Sequence, residues 1–155
     1  MIRIATQKDI PALLRLLSQV LTVHANGRPD VFKAGQTKYT REELLDILQN
    51  EKTPVYVATD ETDTALGYVF CQYHEIVDDN ILQNVKYVYI DDLCVDEACR
   101  GQRLGTALYE FVVEKAKEMH FDSIRLNVWA LNETALHFYK KLGLTPLKTT
   151  MEKKI

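Results

Sequence analysis

The sequence predicts an α/β fold in which helices flank a central mixed, mostly antiparallel sheet. Three strand-like stretches separated by polar turns, residues 54–59, 65–77 and 85–95, follow one another mid-chain and read as an antiparallel meander. A glycine-containing loop, residues 100–106, then leads into an amphipathic helix, and a further apolar stretch follows at 123–130. Strand, helix and strand in that order form the crossover that makes two strands parallel. At 155 residues and 46% hydrophobic, the chain fits one domain, residues 1–155, able to bury its own core.

Each element has a local reason. Residues 2–5 alternate as a short strand. Thr6-x-x-Asp9 is a capping box, and Ile10, Leu13, Leu14, Leu17 and Leu21 then share one face of a helix running to about Val23. Residues 24–38 form the one long irregular segment, of a length that compact domains usually reserve for function. Thr40-x-x-Glu43 opens a second helix through Leu48. Leu104, Leu108, Phe111, Val112, Lys115 and Met119 line one side of the helix after the glycine loop. Ala135, Phe138, Tyr139 and Leu142 line the last helix, 132–142, with Gly143 as its stop. The alternating residues 144–155 are expected to return as a strand, giving β-α-α-β-β-β-α-β-α-β.

The chemistry centres on Arg100-Gly101-Gln102-Arg103-Leu104-Gly105-Thr106. A tight turn from a strand into a helix aims several main-chain N–H groups at one point, where the helix dipole adds positive potential. Gly101 and Gly105 clear the approach, and Arg100 and Arg103 add charge, so the loop reads as a pyrophosphate cradle. Neither a Gly-x-x-x-x-Gly-Lys-Ser/Thr nor a Gly-x-Gly-x-x-Gly pattern is present, which excludes the commoner nucleotide loops.

A net charge of −3 argues against a general nucleic-acid binder. No apolar run is long enough to cross a membrane, and residues 1–6 lack a signal-peptide core. Cys71, Cys94 and Cys99 have no zinc spacing and fit reduced thiols, Cys71 and Cys94 in the core and Cys99 exposed. The expected setting is cytoplasmic, with no metal, membrane or nucleic-acid partner.

With strand, loop and helices in view, the chain resembles the GNAT family of N-acetyltransferases, bacterial type, over essentially its whole length. Ile90-Asp91-Asp92-Leu93-Cys94-Val95 matches the family's central splayed strand. The 100–106 loop matches its Arg/Gln-x-x-Gly-x-Gly/Ala acyl-CoA signature, and Asn132-Glu133-Thr134-Ala135-Leu136-His137-Phe138-Tyr139 with Gly143 matches the following helix. The resemblance implies acetyl-CoA as cosubstrate and a primary amine, on a small molecule or peptide, as acceptor. It implies that the main chain of Leu93, Cys94 and Val95 pairs with the pantetheine arm, with an N–H near Cys94 or Val95 facing the thioester carbonyl. Residues 101–106 would hold the pyrophosphate, Asn132 would bind the arm or cap the last helix, and Tyr139 would sit near the sulfur. A homodimer is common in this fold.

Two residues depart from the family pattern. Arg103 stands where glycine is usual; a non-glycine residue is tolerated there if its conformation is helical and its side chain turns outward, when it can assist phosphate binding, and otherwise cofactor affinity falls. Asn127 stands where members acting on ribosomal-protein N-termini carry a glutamate base.

Acetyl transfer needs a neutral amine, a donor for the developing oxyanion and a proton for the leaving thiolate. Tyr139 is the candidate acid, since a phenol of pKa about 10 keeps its proton at neutral pH. Asp91 and Asp92 are candidate bases; as strand neighbours they are expected on opposite faces. Glu75 and His74 are alternatives. The candidate acceptor site comprises His24, Arg28, Asp30 and Phe32, which resemble a bacterial His…Pro-Asp-x-Phe loop, with Arg28 suited to a substrate carboxylate and Asp30 to an amine. Tyr73 is a possible cleft residue, and Trp129 reads as core. The competing reading is a non-catalytic acyl-CoA sensor of the same fold.

Overall fold

The computed structural model describes all 155 residues. Five strands form one sheet in the order β1 (Ile2–Ile4), β2 (Val55–Thr59), β3 (Ala65–Ile76), β4 (Val85–Val95) and β5 (Ser123–Leu126). The first four pair antiparallel, and β5 joins β4 in parallel through the crossover helix α3 (Leu104–Glu118). Helices α1 (Ile10–Gly27) and α2 (Arg41–Gln49) connect β1 to β2, and α4 (Glu133–Lys141) follows β5.

Strand alternation divides the core into two layers. Tyr68 and Phe70 of β3 face Leu13, Leu16 and Leu17 of α1 and Leu44 of α2. Val69 and Cys71, one residue out of phase, face Leu108, Tyr109, Val112 and Ala116 of α3. Thr6 and Asp9 form the expected capping box. The buried Asp9 carboxylate also takes two hydrogen bonds from the Arg3 guanidinium, at 2.8 and 2.9 Å, tying β1 to the start of α1.

Four expectations change. The first helix runs past Val23 to Gly27, so His24 lies in its last turn rather than in a loop. Leu16 rather than Leu14 completes its buried face, because helix and sheet meet along the 10-13-16-17 ridge. The fifth strand ends at Leu126, four residues earlier than expected. Residues 144–155 form no strand. No helix is long and apolar enough to cross a membrane.

The early end of β5 shapes the molecule. β4 is paired on both sides up to Ile90, opposite Leu126, and beyond that only with β3. Gly67 lets β3 and β4 approach closely there, since a Cβ on it would lie 2.9 Å from the Cys94 carbonyl oxygen. The obstacle is backbone, so Gly67→Ala must displace β4. We expect it to destabilise the protein by about 1–3 kcal/mol, measured by urea unfolding.

Candidate functional site

The one-sided end of β4 leaves main-chain groups exposed along a strand edge. The Asp96 N–H donates to the Leu66 carbonyl at 2.8 Å. Antiparallel hydrogen bonding alternates, so Cys94 and Asp92 likewise turn their main-chain groups toward β3. Leu93 and Val95 turn theirs to the open edge. Among the three residues expected to present main chain, Cys94 is therefore committed to the sheet, and its buried thiol points at α1, 3.8 Å from the Leu16 carbonyl.

Immediately beyond this edge a short 3-10 turn, Glu97–Cys99, leads into the glycine loop. The first amide of the helical start to find an acceptor is that of Ala107, bonded to Arg103 O at 3.0 Å. The N–H groups of Gly101, Gln102, Arg103, Leu104, Gly105 and Thr106 donate to no protein acceptor. Gly101 has φ +85° and open space around its Cα. Gly105 brings the first turn of α3 against Phe138 and Leu93, 3.4 and 3.7 Å from where a Cβ would stand. The donors, the clear approach and the helix end together suit a diphosphate.

Arg103 meets the condition set for it only in part: its side chain is outward, but φ 59° and ψ 19° put it in the left-handed region, as the uncapped residue before α3. Arg103 thus adopts the conformation that glycine would take at little strain, at a cost of about 1–2 kcal/mol. Its side chain is exposed, as is that of Arg100, which stands 3.9 Å from Glu97.

The two aspartates correct an expectation. Phe70 pairs with Asp92 and Cys71 with Ile90, so Asp91 is an extra residue in β4. This β-bulge turns both carboxylates to the α1–α2 side instead of opposite faces. Asp92 accepts a hydrogen bond from the Tyr68 hydroxyl at 3.2 Å. Asp91 accepts one from the Tyr39 hydroxyl and an ion pair from Lys38 at 3.1 Å. Tyr68 and Tyr39 both pack on Phe70, with ring centroids 4.9 and 5.7 Å away. The sequence carried no sign of Tyr39, Lys38 or Tyr68 in this role, because only the fold brings them to the bulge.

Burial pushes the Asp92 carboxyl up to about 6; nearby Lys38 opposes the rise and Asp91 adds to it. Tyr139, in α4, is half-buried, and burial, then the negative potential of Asp92, holds its phenol well above the ordinary value. Asp92 is thus near enough to Tyr139 for its charge to be felt there, and Leu93 and Val95 follow it on β4. The Asn132 side-chain oxygen caps α4 by accepting from the Ala135 N–H at 3.1 Å.

The acceptor candidates divide. His24 stacks on Phe32 at 5.0 Å, and Phe32 meets the edge of Trp129 at 4.8 Å. Trp129 is 46% exposed rather than core, because β5 has ended and the chain beyond it runs on the surface. Burial, then Lys38, lowers the pKa of His24. Arg28 and Asp30 are not free for substrate: they pair with each other at 2.8 and 2.9 Å, and with Glu152 and Lys154. Their charges cancel locally because both fall in one turn after α1. Tyr73 packs on Phe121 on the α3 side, in the layer opposite Tyr68 and Phe70. His74 and Glu75 lie four and five strand positions beyond Phe70, about 13 Å or more along β3. Asn127 is exposed just past β5. Cys99 is half-buried, while burial pushes the Cys71 and Cys94 thiols to about 12. No three His, Cys, Asp or Glu side chains stand close enough to hold a metal ion.

The chain matches the acetyltransferase (GNAT) family over residues 21–144. It is 29% identical to streptothricin acetyltransferase A of Bacillus subtilis (strain 168), the match covering 71% of this chain and 66% of that protein. The chain thus spans just under two thirds of that relative's length, and less of the other curated proteins it matches. Among solved structures, the tetramutant of the BH1408 protein from Bacillus halodurans superposes with a TM-score of 0.96 at 34% identity, covering 100% of this chain and 99% of that one. An aminoglycoside acetyltransferase, meta-AAC0020, from an uncultured soil metagenomic sample shares the fold, with a TM-score of 0.74 at 19% identity over 100% and 94% of the two chains.

The Asp92 shift has a signed consequence for stability. The folded carboxyl binds its proton more tightly than the unfolded one, so neutral Asp92 is favoured below about pH 4 and that advantage is lost as pH rises through about 6. Asp92→Asn should therefore stabilise the protein above pH 6, by up to about 3 kcal/mol at pH 8, with the gain vanishing near pH 4. Urea unfolding of both proteins at the two pH values checks the sign.

Proposed function

The chain belongs to the acetyltransferase (GNAT) family, and on that premise we propose that it transfers an acetyl group from acetyl-CoA to a primary amine of a small molecule or peptide. The observation that carries this reading is the continuity of two donor sets. An open strand edge at Leu93 and Val95 leads directly to a helix start whose amides, from Gly101 to Thr106, have no protein acceptor. An extended amide-bearing arm ending in a diphosphate needs that sequence of partners: strand-like pairing, then a cluster of N–H donors.

In this reading Leu93 and Val95 hold the pantetheine arm, and one of their N–H groups faces the thioester carbonyl. The loop 100–106 binds the pyrophosphate, with Arg100 and Arg103 contributing charge from solvent. Asn132 offers its side-chain amide to the arm while its oxygen caps α4. The thioester supplies an activated acyl group and a thiolate leaving group. Asp92, ionised at neutral pH and above but basic for a carboxylate, takes the proton from the acceptor ammonium. Tyr39 and Lys38 hold Asp91 beside it. Tyr139, whose phenol keeps its proton firmly, donates to the departing sulfur. The acceptor lies against His24, Phe32 and Trp129, whose rings offer a partly exposed aromatic wall. Three unpaired cysteines fit a reducing, cytoplasmic setting.

Thermal unfolding with added acetyl-CoA tests the cosubstrate. A ligand at about 100 times its Kd stabilises by roughly 2.7 kcal/mol, so both acetyl-CoA and CoA should raise Tm saturably, and inorganic phosphate should not. No shift at millimolar acetyl-CoA would remove the reading. Acceptors are then screened by thiol release over a panel of amines, beginning with streptothricin and aminoglycosides because similar proteins bear those names.

Tyr139→Phe separates catalysis from binding. The acid role predicts a loss in kcat of about 100-fold or more with the acetyl-CoA Tm shift unchanged. An unaltered kcat would show that the thiolate leaves without help from Tyr139.

A further inference from the structure

Part of one sheet face has no helix over it. Tyr68 and Phe70 of β3 lie under α1 and α2. Farther along the same face, Gln72 and His74 of β3, Tyr87 and Tyr89 of β4 and Arg125 of β5 belong to neither apolar layer. Alternation settles which way they face. Val88, Ile90, Ile124 and Leu126 join the layer under α3, so Tyr87, Tyr89 and Arg125 face the α1–α2 side, where both aspartates also turn.

The rings form a level floor. His74 stacks on Tyr87, with centroids 5.1 Å apart and 11° between the planes, and meets the edge of Tyr89 at 6.1 Å. The Gln72 side-chain oxygen lies 3.0 Å from Nε2 of His74 and steadies that ring. Arg125 closes the far end, its guanidinium carbon 4.2 Å from the Tyr87 centroid. Stacking occupies the flat face of a guanidinium and leaves its N–H fork free in the plane. Lys38 is paired with Asp91, whereas Arg125 has neither a carboxylate nor a carbonyl as partner. Ser123, opposite Tyr87 on the same face of β5, adds a buried hydroxyl with no hydrogen bond. Unanswered donors thus stand at one end of the floor, and Asp91 and Asp92 at the other.

Four strand positions separate Asp91 from Tyr87, about 13 Å. We propose that Arg125 binds a carboxylate of the acceptor, so that the acceptor is an amine with an acidic group about 13 Å away, the part between them lying along Tyr89, His74 and Tyr87. The inference rests on the acetyl-transfer reading, which puts the reacting amine at Asp92. An extended peptide covers that distance in about four residues, so an amino terminus followed by Glu at about position four or five meets the requirement.

Carboxamide-ended hexapeptides of Ala and Ser test this, each with one Glu at position two, three, four or five, beside Gln and Lys counterparts. Thiol release should give a KM at least about 10-fold lower for Glu than for Gln at position four or five, and no difference at position two. Arg125→Gln should abolish the preference and leave kcat and KM for the Gln peptides unchanged, which also shows that the variant folds. Arg125→Glu should turn the preference to Lys at the same position. Anisotropy of labelled peptides with the CoA-loaded protein reads the contact without turnover. Equal treatment of Glu and Gln peptides by the native protein overturns the inference, as does a Glu preference that survives Arg125→Gln, or a failure of every peptide to bind. Arg125-dependent binding of the Glu peptides without transfer upholds the contact and overturns the acetyl-transfer reading instead.

Discussion

The structure turns on how far β4 is paired. Up to Ile90 it is an interior strand, hydrogen-bonded on both sides; from there to Val95 it has one neighbour only. Interior main-chain groups need partners, and a strand that loses one neighbour leaves donors and acceptors waiting in a protected place. The splay does not arise from flexibility. β5 has only four residues, and the chain leaves it to cap α4 through Asn132. The parallel crossover thus creates both the cleft and its two walls, β4 with its free groups and the N-terminal end of α3.

Within that cleft the carboxylate pair shows why the site is not a stable arrangement for its own sake. A bulge inserts one residue, both aspartates turn the same way, and the deeper one has the neutral Tyr68 hydroxyl as its side-chain donor, with no ion pair of its own. The shallower one is saturated by Tyr39 and Lys38. A buried acid with so little compensation lowers stability when ionised, as the raised affinity for its proton states. Its ionised form is the one that can accept a proton from an amine.

Much of this was legible in the sequence, and the limits fall where local signals end. The helix starts at Thr6 and Thr40, the meander and the glycine loop follow from capping, alternation and φ requirements, all read within a few residues. The bulge could not be read, because strand periodicity assumes equal counts on both strands and a single added residue breaks that silently. Trp129 looked like core by composition, but the strand that would have buried it had already ended. Arg28 and Asp30 looked ready for substrate, and only the fold shows that they answer each other and the C-terminal segment. The conformation of Arg103 stayed open in the sequence, whereas in the fold the turn into α3 places it in the left-handed region.

The distribution of sulfur around this frame has a practical side. Cys71 and Cys94 are buried on opposite faces of the sheet, with thiols that burial keeps protonated. Cys99 alone is partly open to solvent, at the end of the short turn that carries the chain into the glycine loop. The native chain therefore supplies its own address for a thiol-directed fluorophore or spin label. No cysteine need be added or removed to watch the loop from the residue two positions before Gly101.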